Sequence, residues 1–289
     1  MPFKSVKHSF KVMGGPAELQ IYLNGQDEAY VVKLAKDEAF RLEKKYSRYR
    51  TDSITNAINR SAGNLQGFHA DEETTGLLNY ANIAWQQSEG LFDITSGILR
   101  KAWDFKSNIL PTQKCINKLL VHVGWDKVTW QPPVLYLPKE MEIDFGGVVK
   151  EYAADAIASI IRNQGIHHGL VDLAGDIAIA GPQPDEKPWK IGVRDPSHPN
   201  TAAATIDVLN GGIASSGNYE RFMIVDGKRY CHIINPKTGW PQHGVGGVSV
   251  HASTCLVAGT ATTTAMLLGE IQGDEWLRSS QFEYLLLKD

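Results

Sequence analysis

Apolar and polar residues alternate through residues 6–23 (VKHSFKVMGGPAELQIYL) on both sides of a Gly-Gly-Pro turn, which predicts a β-hairpin. From about Asp27 to Tyr49 the period changes. Val32, Ala35, Ala39, Leu42 and Tyr46 are spaced by threes and fours, the mark of a helix with one buried face. RYRTDSITNAINRSAG reads as a loop opening a short helix, with Asp52 or Ser53 as its N-cap. Residues 71–90 predict a helix, acidic at its start and closed by Gly90. LFDITSGILRKAWDF is apolar enough to be buried, residues 116–123 suggest a short helix, and 127–145 suggest strands separated by Gln-Pro-Pro.

The second half is richer in strands. Residues 150–163 (KEYAADAIASIIRN) predict an amphipathic helix ending before Gly165. GLVDLAGDIAIAG reads as a strand with a glycine turn inside it, and Gly175-Asp176 suggests a bulge. WKIGVRDP, AAATIDVLNGGIASSG, YERFMIVDGKRYCHIINP and VGGVSVHAS follow as successive strands, with VDGK a hairpin turn. In CLVAGTATTTAMLLG, Thr260, Thr262, Thr263 and Thr264 look like a cap or binding loop feeding a helix over 261–269, and FEYLLLKD predicts a last strand. The order is α+β with mostly antiparallel strands rather than a βαβ series.

Composition narrows the classes. The chain has 289 residues, enough for one large domain or two interlocked ones, and 43% hydrophobic residues supply a sizeable core. A net charge of −3 leaves no electrostatic footprint for nucleic acid. The basic run RLEKKYSRYR is interrupted by Glu43 and aromatics and reads as a solvated helix end. No apolar run approaches the roughly 18 residues of a transmembrane helix. Cys115, Cys231 and Cys255 form no CxxC pair, which favours a reducing compartment. MPFKSVKHSFKVMGG lacks the apolar segment of a signal peptide, so the expectation is cytoplasmic, or periplasmic if an export signal has been removed.

Neither a GxGxxG between strand and helix nor a GxxxxGK[ST] is present, and SSG lacks the GxSxG elbow. What remains is a set of glycine turns carrying polar residues. In IDFGGVVKEYAAD, Gly146-Gly147 lead directly into a helix with Lys150 in its first turn and Asp155 about one turn on. Such a turn is either a phosphate cradle or simply tight. GIASSGNYERF is donor-rich, or only a turn. In YCHIINPKTGWP, His232 is either a satisfied strand histidine or a general base suited to neutral pH.

Taken in order, SRYRTDSITNAIN, SEGLFDITSGILRKAWDF, IDFGGVVKEYAADAIASIIRNQGIHHGLVDLAGDIAIAG, GIASSGNYERFMIVDGKRYCHIINPKTGWP and VAGTATTTAMLLG resemble segments of the ApbE family. The resemblance runs from about Met13 to Gly269. It implies a T-fold-like α+β fold of mixed, largely antiparallel sheets with flanking helices. Residues 1–289 would form a single domain of two interlocked parts meeting near 125–145, with an FAD cleft between them. It also implies an FAD:protein FMN transferase: Mg²⁺ sits at the FAD pyrophosphate, FMN passes to a Ser or Thr hydroxyl of an acceptor protein, and AMP leaves.

Residue by residue, the resemblance implies flavin contacts at Met13 and at Tyr49 of SRY, and a wall with one carboxylate at Leu91, Phe92 and Asp93. Lys150 and Asp155 fall on the glycine turn and its helix, and Ser215, Ser216 and Gly217 match the family's T-S-G. His232 matches the histidine of S-H-[IV]-[IV]-D-P, the implied base. The metal positions are Val149 through its carbonyl, Gly259 and Thr263. Two departures stand out: Gly259 replaces the family's aspartate in A-D-A-x-x-T, and K-G-Y becomes Lys150-Glu151-Tyr152; the family's D-P also becomes Asn235-Pro236. Mg²⁺ prefers anionic oxygen ligands, and glycine offers only a carbonyl. Phosphates, water, or an acid such as Glu151 or Asp176 would have to substitute. The alternative is a metal-impaired FAD-binding protein, a flavin carrier or scaffold.

Overall fold

The computed structural model describes residues 3–196, 198 and 201–289. The alternation at the N-terminus forms the hairpin β1 (Lys4–Val12) and β2 (Gly15–Leu23), joined by Met13 and Gly14, both at positive φ. Positive φ at both central residues matches the right-handed twist of the flanking strands. Helix α1 (Glu28–Tyr46) follows, capped by the Asp27 side chain, and buries Val32, Ala35, Ala39, Leu42 and Tyr46, the predicted face. Helix α2 (Ile54–Arg60) takes Ser53 as its cap, and α3 (Glu72–Gln87) takes Asp71. A short strand β3 (Phe68–His69) lies between α2 and α3, and a 3-10 segment (Ile94–Lys101) follows α3. Next come α4 (Gln113–Leu120), β4 (Thr129–Gln131) and β5 (Val134–Tyr136), then α5 (Val149–Asn163).

The remaining elements are β6 (Gly169–Leu173), β7 (Asp176–Gly181), β8 (Trp189–Arg194), β9 (Ala202–Val208), β10 (Gly212–Gly217), β11 (Phe222–Val225), β12 (Lys228–Cys231), β13 (Val245–Ala252), α6 (Cys255–Leu268), α7 (Glu270–Ser279) and β14 (Glu283–Lys288). Seven of these strands make one sheet in the order β1-β2-β6-β7-β10-β13-β14, antiparallel at every step. The main core lies between this sheet and helices α1, α5 and α6. Strand β7 shows how both faces are used. Ala178 and Ala180 join the helical core, and their small side chains let α5 approach. Ile177 and Ile179 point the other way, onto Trp189, Val208, Ile191 and Ile206 of the β8-β9 hairpin. A separate cluster of Trp103, Ile116, Met223, Tyr230 and Trp240 joins the segment after α3 to the β11-β12 hairpin. There the Trp103 indole donates to the Gly239 carbonyl at 2.9 Å.

Several predicted elements are corrected. Gly175-Asp176 is no bulge: Ala174 and Gly175 form a two-residue turn at positive φ, and Leu173 pairs with Asp176 across it. The strand expected through 145 stops at Tyr136: Pro138 to Met141 turn, and further on the Asn59 side chain bonds both the N–H and C=O of Ile143 where a partner strand would. His232 lies one residue beyond β12, not inside a strand.

The threonine-rich turn is itself helix. Helix α6 begins at Cys255, capped by Thr254, and Thr260 and Thr264 donate their hydroxyls back to the carbonyls of Leu256 and Thr260. This helix is buried nearly all round, so it has no apolar stripe to read. Helix α7, which the pattern did not predict, packs its Gly273 against the Ala265 carbonyl.

Glu73 ties three helices together. Its carboxylate accepts from Arg41 at 2.9 and 2.6 Å and Lys45 at 2.8 Å, both on α1, and from the Tyr152 hydroxyl of α5 at 3.1 Å. Arg41 is the main cause holding the Glu73 pKa down at about 2, against an ordinary 4.5. A depressed carboxylate stabilises the fold above its unfolded pKa and loses that contribution as pH falls through its folded one. Glu73→Gln should therefore lower Tm by about 2–4 °C at pH 7. In thermal melts the gap to the unmodified protein should close as pH falls from about 4.5 toward 2.

Candidate functional site

The loop before α5 is fixed from below by Phe145, fully buried, and from the side by Asp144. The Asp144 N–H donates to the Ile94 carbonyl at 2.8 Å, its carboxylate accepts from Gly146 N–H at 3.0 Å, and it forms an ion pair with Arg48. Gly97 is needed opposite it, since a Cβ there would lie 2.5 Å from the Asp144 Cβ. Segments 91–97 and 144–147 are thus fastened together, with the Phe92 ring 3.7 Å from where a Cβ on Gly147 would lie. Arg48 also donates to the Tyr49 hydroxyl at 2.8 Å, and the Tyr49 ring is 77% exposed beside this loop.

No side chain caps the start of α5, so its positive end stays available to an anion. In that first turn Lys150 reaches Asp176, at the start of β7, with an ion pair of 2.5 Å. Burial works against the Lys150 charge, but Asp176 and Glu151 outweigh it and hold its pKa above the ordinary value. Glu151 is only 8% exposed and its Oε2 has no hydrogen-bond partner. Burial first, and then the Asp176 carboxylate, push the Glu151 pKa up. Burial does the same to Asp176, against the pull of Lys150.

Helix α6 and strand β10 close the other side. Gly259 is buried and faces Glu151, and Thr263 follows one helical turn later on the same side of the helix. Thr262 Oγ1 lies 2.9 Å from Ser216 Oγ and donates to the Gly259 carbonyl, also at 2.9 Å. Ser215 Oγ meets Ser249 Oγ at 2.6 Å, and Gly217 must be glycine because a Cβ would lie 2.2 Å from the Tyr219 ring. Just past β12, the His232 N–H donates to the Arg221 carbonyl at 2.9 Å and its Nδ1 lies 3.2 Å from the same oxygen. A carbonyl only accepts, so Nδ1 carries the proton and Nε2 keeps its lone pair. His232 keeps solvent contact, but the protein packed around its ring, with the Arg221 charge adding to it, holds its pKa below the usual value.

Not every predicted site residue faces this space. Asp93 accepts from the Thr95 N–H and hydroxyl and from Trp125 N–H, at 2.6–2.9 Å, and so fixes the loop. Asp155 accepts the N–H groups of Cys255 and Leu256, both at 2.9 Å, and so holds the start of α6. Met13 sits in the β1-β2 turn, donating its N–H to Glu43 at 2.7 Å. Val149 is buried at the start of α5, and Leu91 and Phe92 are buried in the loop wall. Arg48, Asp144 and Arg221, which sequence reasoning did not single out, complete the arrangement with Thr262 of the threonine-rich stretch. Arg48 was within reach, since it stands inside the quoted SRY.

The sequence profile of the ApbE family matches residues 13–286. The chain belongs to the ApbE family. The Vibrio cholerae FAD:protein FMN transferase is 28% identical to it over 249 residues, covering 83% of this chain and 74% of the relative. The Escherichia coli K12 FAD:protein FMN transferase is 29% identical over 255 residues, covering 84% and 72%. The crystal structure of the ApbE protein from Thermotoga maritima superposes with a TM-score of 0.91 at 25% identity, covering 99% of this chain and 94% of that one.

In this ApbE-family chain Asp155 is the residue whose loss should be felt in folding. Asp155→Ala leaves two backbone donors at a partly buried helix start without their charged acceptor. It should destabilise by about 1–3 kcal/mol in denaturant titrations. An unchanged midpoint would mean that α6 does not depend on this clamp.

Proposed function

We propose that this protein is an FAD:protein FMN transferase, cleaving FAD and joining FMN to a Ser or Thr hydroxyl of an acceptor protein with release of AMP. The reading is carried by family membership over residues 13–286, whose relatives bear that name. The geometry supports it. The exposed Tyr49 ring offers surface for the flavin, Leu91 and Phe92 back the loop from inside, and the uncapped start of α5 with Lys150 faces where a pyrophosphate would lie. Ser215, Ser216 and Gly217 line the opposite edge. Asp93 and Asp155 contribute by holding the loop and helix that carry these groups.

A neutral His232 with a free Nε2 is suited to take the proton of the acceptor hydroxyl. The freed oxygen attacks the FMN-side phosphorus, the bond to the AMP-side phosphate oxygen breaks, and AMP departs with that oxygen. The residues present fit a divalent cation such as Mg²⁺. Glu151 has a buried carboxylate oxygen without a partner, and Thr263 and the Val149 carbonyl are the further candidate ligands. Among the described residues no group of three or more His, Cys, Asp or Glu side chains forms a cation site, so substrate phosphates would have to supply the remaining oxygens. When bound, such an ion would neutralise phosphate charge and polarise the bond being broken. Among the described residues no helix is long and apolar enough to cross a membrane, and the compartment would be that of the acceptor.

Incubation with FAD, Mg²⁺ and an acceptor bearing a Ser/Thr flavinylation motif should give AMP and a covalently fluorescent acceptor band. His232→Ala should cut transfer by about 10²–10⁴-fold while leaving FAD affinity and Tm close to the parent. Full transfer by that variant would remove the base assignment, and unfolding would make His232 a packing residue. Because the base must be neutral and its pKa is lowered, the acid limb of the rate profile should fall below pH 6.5.

A further inference from the structure

We infer that this chain supplies the carboxylate of its divalent-cation site from Glu151 on α5, across the helix contact, with Gly259 on α6 providing the room. The inference rests on the cation-assisted transfer proposed above. Gly259 lies in mid-helix, buried, on the side of α6 that meets α5. A Cβ built on it would lie 2.6 Å from Glu151 Cγ, 2.9 Å from Oε1 and 3.0 Å from Cδ. Even a methyl group at 259 would displace the glutamate, so Glu151 occupies the volume in which any side chain from 259 would begin.

The second observation is independent of that fit. Glu151 is nearly fully buried and its carboxyl group meets that of Asp176, yet no nitrogen or hydroxyl donor reaches its Oε2. Buried carboxylate oxygens are normally satisfied, and an orphan one calls for a ligand or an ion. The neighbouring cation does not serve it, because the Lys150 ammonium is directed to Asp176 at 2.5 Å. Glu151 itself lies in the first turn of α5, the buried Asp176 adjoins it, and Thr263 follows Gly259 by one turn on the same side of α6. This is a hard-oxygen set of the kind Mg²⁺ or Mn²⁺ takes together with phosphate. Glutamate has one more methylene than aspartate, which gives the reach needed from the facing helix. The two departures noted in the sequence, a glycine at 259 and a glutamate at 151, are therefore one compensated change.

The test uses Mn²⁺ as the probe, with free ion counted by electron paramagnetic resonance in the presence of saturating FAD. The full chain should show one site. Glu151→Gln, which keeps shape and hydrogen-bonding capacity, should weaken it by at least about tenfold. E151G/G259D, which returns the carboxylate to α6, should recover affinity to within a few-fold of the parent. Parent-like Mn²⁺ binding by Glu151→Gln overturns the inference while leaving the cation site standing. So does a double variant that melts normally but binds no better than Glu151→Gln. If the double variant does not fold, Gly259→Ala decides: it should displace Glu151 and weaken the site, and parent-like binding there overturns the inference. An absence of any Mn²⁺ site in the parent would overturn both this assignment and the cation part of the proposed function.

Discussion

Charge buried between α5, β7 and α6 is the constraint on which the rest of the structure depends. Lys150 reaches from a part-exposed position into the buried space of Glu151 and Asp176, and its ion pair of 2.5 Å with Asp176 leaves Glu151, whose pKa burial pushes up, without a cation. Removing one partner of such a pair typically costs about 3–5 kcal/mol, because the other is left charged and buried. A fold retains an arrangement of this kind when surrounding packing compensates. Here that packing is the seven-stranded sheet on one side and the layer of α1, α5 and α6 on the other.

Small residues make the arrangement possible. Ala178 and Ala180 of β7 let α5 lie close to the sheet, and Gly259 lets α6 lie close to Glu151. Asp155 then fixes α6 against α5 at its first turn, one helix supplying the acceptor for the other's unpaired N–H groups. On the opposite rim, Arg48 and Asp144 fasten the loop before α5 to the tyrosine-bearing turn after α1. The segments that could hold a nucleotide are thus parts of one packed unit, each fixed by a polar contact to a neighbour distant in sequence.

Much of this was legible in the chain. The N-terminal hairpin, α1 with its buried face, the Ser53 cap, α5 and the VDGK turn all follow from local periodicity and turn chemistry, and each stands where the pattern places it. The failures share a cause. Helix α6 is buried on nearly every side, so no polar face alternates with an apolar one, and its threonines look like loop residues until their hydroxyls are seen bonding the preceding turn. The run before Phe145 has strand-like composition, but a side-chain amide from α2 satisfies its backbone. Among site residues, His232 and Lys150 could be singled out by type and context, whereas the tasks of Asp93 and Asp155 could not.

The sequence by itself determined most of the element order, the α+β class and the family, because these rest on short-range patterns and on motifs in a fixed order. It also exposed the two unusual residues, Gly259 and Glu151, with Glu151 as one of several groups that could stand in for the missing aspartate. Only the tertiary structure put them in contact, with the glutamate filling the volume the glycine leaves. Which carboxylate is paired, which is orphaned and which caps a helix depends on what lies opposite, and long-range packing decides that.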